Sequence, residues 1–107
     1  MLTSEAKSML YDLYKEYKNR RYNGVDRSSA KSFGSSEHLH NSLFQSWHLS
    51  DVEDIMRELG QNGYLSNLYA SNKIHESELT NRAISELDNL PKEFISNVAS
   101  FIAKFIP

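Results

Sequence analysis

The 107-residue chain contains no cysteine. Disulfides, thiolate metal sites and cysteine nucleophiles are therefore excluded, and the composition is compatible with a reducing compartment. Glycine is sparse, with Gly24, Gly34, Gly60 and Gly63 scattered singly. None belongs to a P-loop or a dinucleotide-binding fingerprint, and "FGSS" at Phe33 to Ser36 lacks the spacing and the lysine of a phosphate cradle. No apolar run approaches the roughly 20 residues a membrane-spanning helix requires. The opening "MLTSEAKSML" has no basic segment followed by an apolar one, so no signal peptide, no membrane contact and a cytoplasmic location are expected. Repeats and low-complexity tracts are absent. Ser, His and Asp residues all occur, but no local signature groups them. Neither catalytic residues nor a cofactor are assigned, and enzymatic activity is not expected.

What remains is an ordinary globular composition, 39% hydrophobic and 24% charged, with six Tyr and five Phe to build an aromatic core. One domain spanning 1–107 accounts for the length. The net charge of −2 is unevenly spread. Residues 1–31 carry seven basic side chains against four acidic ones, whereas residues 32–107 carry five against ten.

Apolar periodicity divides the chain into elements. Ala6, Met9, Leu10, Leu13 and Tyr17 form one stripe of a helix that begins at Thr3 or Ser4 and ends near Asn23-Gly24. Two short helical pieces follow between Val25 and Phe44, parted near Gly34. Ser28-Ser29 and Ser35-Ser36 serve as their caps, and Phe33, Leu39, Leu43 and Phe44 turn inward. Ser50 with Glu53 reads as a capping box opening the next helix, with Leu49 packing as a staple just before it. Val52, Ile55, Met56 and Leu59 make its buried stripe, and the glycines end it around Gln61-Asn62. Tyr64 to Ala70 and Ile74 to Leu79 read as two strands of a hairpin around a polar turn. Thr80 caps a helix with Ala83, Ile84 and Leu87 inward. Pro91 opens a last helix over 91–106.

The fold class is α+β, mostly α: a winged helix-turn-helix core over about 3–90, a two-stranded hairpin wing and an added C-terminal helix. "LSDVEDIMRELGQNGYL" followed by "ELTNRAISEL" resembles small winged-helix proteins of Gram-positive bacteria and their phages, including the YjcQ-like group. The resemblance covers about residues 35–90. It implies a fold and a prokaryotic or phage setting, and no reaction.

Two functions follow as expectations. The first is a DNA-binding or transcription-linked factor acting on double-stranded DNA. Lys15, Lys18, Arg20, Arg21, Arg27 and Lys31, interleaved with Tyr14, Tyr17 and Tyr22, would hold phosphates. Arg57, Gln61 or Asn62 would reach bases, and Lys73 would act from the wing. Against it, the outward part of the third helix carries Asp51, Glu53, Asp54 and Glu58 with a single cation. The alternative is a protein-protein interaction module on the same scaffold. Phe94, Val98, Phe101 and Phe105 in the last helix suggest a homodimer interface. His38 and His40 stand two apart rather than the four that suits metal ligation on a helix, and no metal site is assigned.

Overall fold

In the computed structural model, which describes residues 1–107, the chain opens with helix α1, Ser4–Tyr22. Its start is fixed by the Thr3 side chain, which accepts from the Ala6 N–H at 3.2 Å. Glu5 in the first turn and Arg20 and Arg21 in the last suit the helix dipole. The apolar stripe from Ala6 to Tyr17 is buried. Gly24, with φ of +87°, lets the chain leave the helix in the left-handed region.

Two short helices follow, α2 at Arg27–Ala30 and α3 at Ser36–Ser42. Asp26 caps α2, so Ser28 and Ser29 lie inside that helix, while Ser35 caps α3. Phe33, Leu39 and Phe44 are buried as expected, but Leu43 is turned outward. Between α2 and α3 the backbone makes a strand-like contact that periodicity does not reveal. Ser32 bridges antiparallel to Glu78, the Phe33 N–H donates to the Ser77 carbonyl at 2.9 Å, and the Leu79 N–H donates to the Lys31 carbonyl at 2.8 Å.

Helix α4, Leu49–Gln61, buries Val52, Ile55, Met56 and Leu59 as its spacing predicts. Its start departs from expectation. The helix begins after His48 without a side-chain cap, so Ser50 already lies inside it and no Ser50–Glu53 capping box forms. Leu49 is left 41% exposed instead of stapled. Glu53 accepts from Ser36, Ile74 and Arg57 instead, and so does not turn back to the start of the helix.

The chain then forms a hairpin of β1, Leu65–Ala70, and β2, Lys73–Leu79, paired from Leu65 with Leu79 to Ala70 with Lys73. Ser71 and Asn72 at the tip both have positive φ, and His75 is the extra residue where the register shifts. Helix α5, Asn81–Asp88, is capped by Thr80, whose hydroxyl also donates to the Gly63 carbonyl at 2.7 Å.

The C-terminal segment corrects a second expectation. Instead of one helix over 91–106 there is a 3₁₀ turn, Lys92–Phe94, and then a separate helix α6, Val98–Lys104. Asn97 is extended and caps α6 by accepting from the Ser100 N–H at 2.8 Å, which interrupts the helical path. Phe101 and Phe105 are buried within the single chain, stacked at 4.7 Å. Tyr11 lies against the first and Tyr64 against the second. They are core side chains, not a free dimer surface. Of the other expected interface residues, Phe94 is half-buried under Lys104 and Val98 alone is open. One cluster of 25 buried hydrophobic residues runs from Leu2 to Phe105, so the C-terminal helix shares the core of the rest. No helix is long and apolar enough to cross a membrane.

Candidate functional site

The cations that the sequence suggests for nucleic acid divide among three places. Lys15 and Lys18 share an outward stripe of α1 with Asn19 and Tyr22, one helical turn apart, and Arg21 stands beside it. Tyr22 is 90% exposed. Lys18 lies 3.2 Å from Asp88, while Lys15 and Arg21 make no ion pair.

Arg20 is not part of that stripe. Its Nη1 donates to the carbonyls of Ser32 at 2.8 Å and Ala30 at 3.2 Å, and its Nε donates to Glu16 at 2.9 Å. The guanidinium also sits 4.6 Å from the centre of the Phe33 ring. It fastens α1 to the α2–α3 connection, and the expectation of a phosphate-binding role is corrected accordingly.

The second place is the base of the hairpin. Arg27 and Lys31 both donate to the Asn81 side-chain oxygen, at 2.9 and 3.4 Å, and Lys31 lies 3.6 Å from Glu78. Lys31 is therefore neutralised and largely covered.

The third place is α4 with the hairpin tip. Lys73 is exposed there, separated from Lys31 by the length of β2, roughly 20 Å. Arg57, the only cation on α4, does not point freely into solvent. Its Nε donates to Glu53 at 2.6 Å, its Nη2 donates to the Asn72 carbonyl at 2.7 Å, and its Cζ lies 4.8 Å from the centre of the Tyr69 ring. Gln61 is exposed but stands at the C-terminal end of α4. The Asn62 side chain donates to the Glu58 carbonyl at 2.9 Å, and its own carbonyl accepts from Arg82 at 2.6 Å. Neither lies in the N-terminal turns, which approach bases most closely in groove-reading helices.

The carboxylates of α4 sort by direction. Glu53 Oε1 accepts from the Ser36 hydroxyl at 2.8 Å and the Ile74 N–H at 3.1 Å, and Oε2 takes Arg57. Partial burial pushes its carboxyl up, but these hydrogen bonds and the Arg57 charge outweigh it and hold Glu53 below its ordinary value. Glu58 accepts from the Thr3 N–H and hydroxyl, both at 2.8 Å. Asp51 and Asp54 remain open to solvent with no side-chain partner in the chain. The i,i+4 spacing of Glu53 and Arg57 is visible in sequence; the reach of Glu53 to α3 and β2 is not, because those contacts span 17 and 21 residues.

Away from this face, burial pushes the Tyr64 phenol up to about 12, helped by the nearby Glu86 carboxylate and opposed by Arg82. Tyr14 is pushed up by burial and by Asp88. His40 is held between the Trp47 carbonyl and the Asn41 side chain, and no three His, Asp or Glu side chains converge on a point that could hold a metal ion. No protein-family model, curated protein or solved structure matches the chain.

Proposed function

We propose that this chain is a protein-interaction module built on a winged-helix scaffold, which meets its partner through the outward side of α4 rather than reading a DNA groove with it. The scaffold reading is supported by the order of α1, the short α2, the strand-like bridge, α3, α4 and the hairpin, and by the resemblance of Leu49 to Leu65 and Glu78 to Leu87 to small winged-helix proteins. The functional reading rests on one observation. The only cation of α4, Arg57, is bound through two of its three guanidinium nitrogens, while Asp51 and Asp54 stand open. A helix in the major groove lies between two rows of phosphates. Each open carboxylate would be repelled there by about 1 kcal/mol per phosphate at about 4 Å, even in water.

A labelled mixed-sequence duplex, followed by fluorescence anisotropy at low salt and near physiological ionic strength, tests this. No binding at low salt is the expected result. Binding that weakens steeply with salt and survives Lys15→Glu with Arg21→Glu would overturn it.

A second reading is favoured by the α1 stripe, where Lys15 and Arg21 lack carboxylate partners beside the exposed Tyr22. In that reading the domain holds the backbone of double-stranded DNA on α1 while α4 faces away. Lys15→Glu with Arg21→Glu would then abolish duplex binding and flatten its salt dependence.

A further inference from the structure

The α4 face carries more than exposed acids. An open groove of about 810 Å³ runs between the starts of α3 and α4 and the tip of the hairpin. Leu49 and Ala70 give it apolar walls, the buried Ile74 lies beneath them, and Glu37 and Ser50 lie along its helical side. Leu49 and Ala70 are exposed, so apolar surface faces water there without a covering element.

The groove is held in shape from within. Glu53, at its base, ties α3 through Ser36 to β2 through Ile74, and Arg57 ties the same carboxylate to the hairpin tip through the Asn72 carbonyl. Every oxygen of Glu53 thus has a partner, and its charge is compensated by Arg57. The base asks for no ion. A preformed site of this kind spares a ligand the entropic cost of ordering it.

Two features identify the occupant. The apolar walls suit a large apolar side chain, not a phosphate or a sugar. The helical rim is acidic: Glu37 lines the groove, and Asp54 lies one turn beyond Ser50 on the outward stripe of α4. Lys73 is the only lysine or arginine along the groove, and it stands on the hairpin side. We infer that the groove receives a segment of a separate protein in which one large apolar residue is flanked by Lys or Arg, the apolar side chain seated against Leu49 and Ala70 and the cations turned to Glu37 and Asp54. This inference rests on the reading of α4 as a protein-docking face, and it names the chemistry of the partner.

Amide shifts in an ¹⁵N-labelled sample of the full chain test both levels. The probe is a heptapeptide with a central Phe flanked on each side by Arg and Lys. One control has Glu and Asp flanks, and the other keeps the basic flanks around a central Gly. Saturable shifts at Leu49, Ser50, Ala70 and His75 are expected with the probe, with affinity about tenfold or more above either control, a difference of about 1.4 kcal/mol. Leu49→Glu, an exposed first-turn position where an acid suits the helix dipole, should abolish them without unfolding the chain. Shifts at Asp51 and Asp54 that are equal for the Phe and Gly peptides would overturn the groove while leaving the acidic docking face standing. Shifts only at Lys15 to Tyr22 with the acid-flanked peptide, or none with any peptide at millimolar concentration, would overturn both. Shifts at Leu49 and Ala70 on concentrating the protein alone, lost in Tyr22→Ser, would make a second copy the occupant and overturn the separate partner.

Discussion

Glu58 of α4 holds Thr3, the residue that begins α1, with both of its carboxylate oxygens: one accepts the Thr3 N–H and the other its hydroxyl, each at 2.8 Å. Thr3 in turn accepts from Ala6, so an acid that reads in sequence as part of an outward face is the clamp on the first helix. Charge-assisted hydrogen bonds of this type are stronger than neutral ones, though exposure reduces their worth. Glu58→Ala should lower stability by about 1 kcal/mol in urea unfolding, with Glu58→Gln losing less because one acceptor remains. An unchanged urea midpoint in Glu58→Ala would show that the clamp is not formed in solution.

Adjacent arginines should behave differently. Arg20 serves two backbone carbonyls, one carboxylate and the Phe33 ring, whereas Arg21 makes a single hydrogen bond to the Val25 carbonyl. Arg20→Ala is expected to cost about 1–2 kcal/mol, since it strands two carbonyls and uncovers an aromatic face. Arg21→Ala should stay within about 0.5 kcal/mol. Thermal unfolding of the two variants separates them. Equal losses would contradict the structural role assigned to Arg20.

Glu53 makes stability depend on acid. Its folded-state carboxyl lies below the ordinary value of 4.5, so the folded chain binds that proton less readily than the unfolded one. The stability it supplies is therefore fully present above about 4.5 and is lost as pH falls through the lower folded-state value. Urea midpoints taken from pH about 6 to about 3 should fall for the wild type, and Glu53→Gln should be weaker at neutral pH with a shallower fall. Parallel curves for the two proteins would remove Glu53 from the acid response.

Periodicity and capping chemistry made α1, the buried stripe of α4, the hairpin and α5 legible, because each depends on residues within one turn or one strand of each other. The Ser32–Glu78 bridge was hidden because it joins residues 46 positions apart through backbone atoms, which carry no side-chain signature. The Ser50–Glu53 capping box failed for a related reason. Glu53 has the right local spacing, but Ser36, Ile74 and Arg57 offer three hydrogen bonds in place of one. The same effect governs the candidate site. A count of charges could see that α4 is acidic and α1 basic, but not that Arg20 and Arg57 are held internally.

The C-terminal aromatics give a prediction opposite to the one their sequence suggests. A dimer surface would lose self-association on Phe101→Ser and keep its fold. Phe101 is instead fully buried between Tyr11 and Phe105. Its truncation leaves a cavity and a buried hydroxyl, with an expected cost of about 3–5 kcal/mol, enough to unfold a marginally stable domain. Val98→Ser, at an exposed position of the same helix, should stay within about 1 kcal/mol. Far-ultraviolet circular dichroism with thermal melts distinguishes the cases. A folded Phe101→Ser protein of near wild-type stability would return Phe101 to the surface.

The hairpin tip holds both of its central residues, Ser71 and Asn72, at positive φ, 51° and 63°. That geometry matches the twist of the flanking strands, but a side chain at such a φ is strained, and serine tolerates it less well than asparagine or glycine. The tip is also one wall of the groove and presents the Asn72 carbonyl to Arg57, so its shape matters beyond the turn itself. Asn72→Gly keeps that carbonyl and relieves the strain, and should stabilise by about 0.5 kcal/mol. Ser71→Val places a β-branched side chain in the left-handed region and should destabilise by about 1–2 kcal/mol. For a domain of this size these changes correspond to melting shifts of roughly +3 °C and −4 to −12 °C. If Ser71→Val melts with the wild type, the turn does not have this geometry in solution. The carbonyl that positions Arg57 would then have to be sought elsewhere.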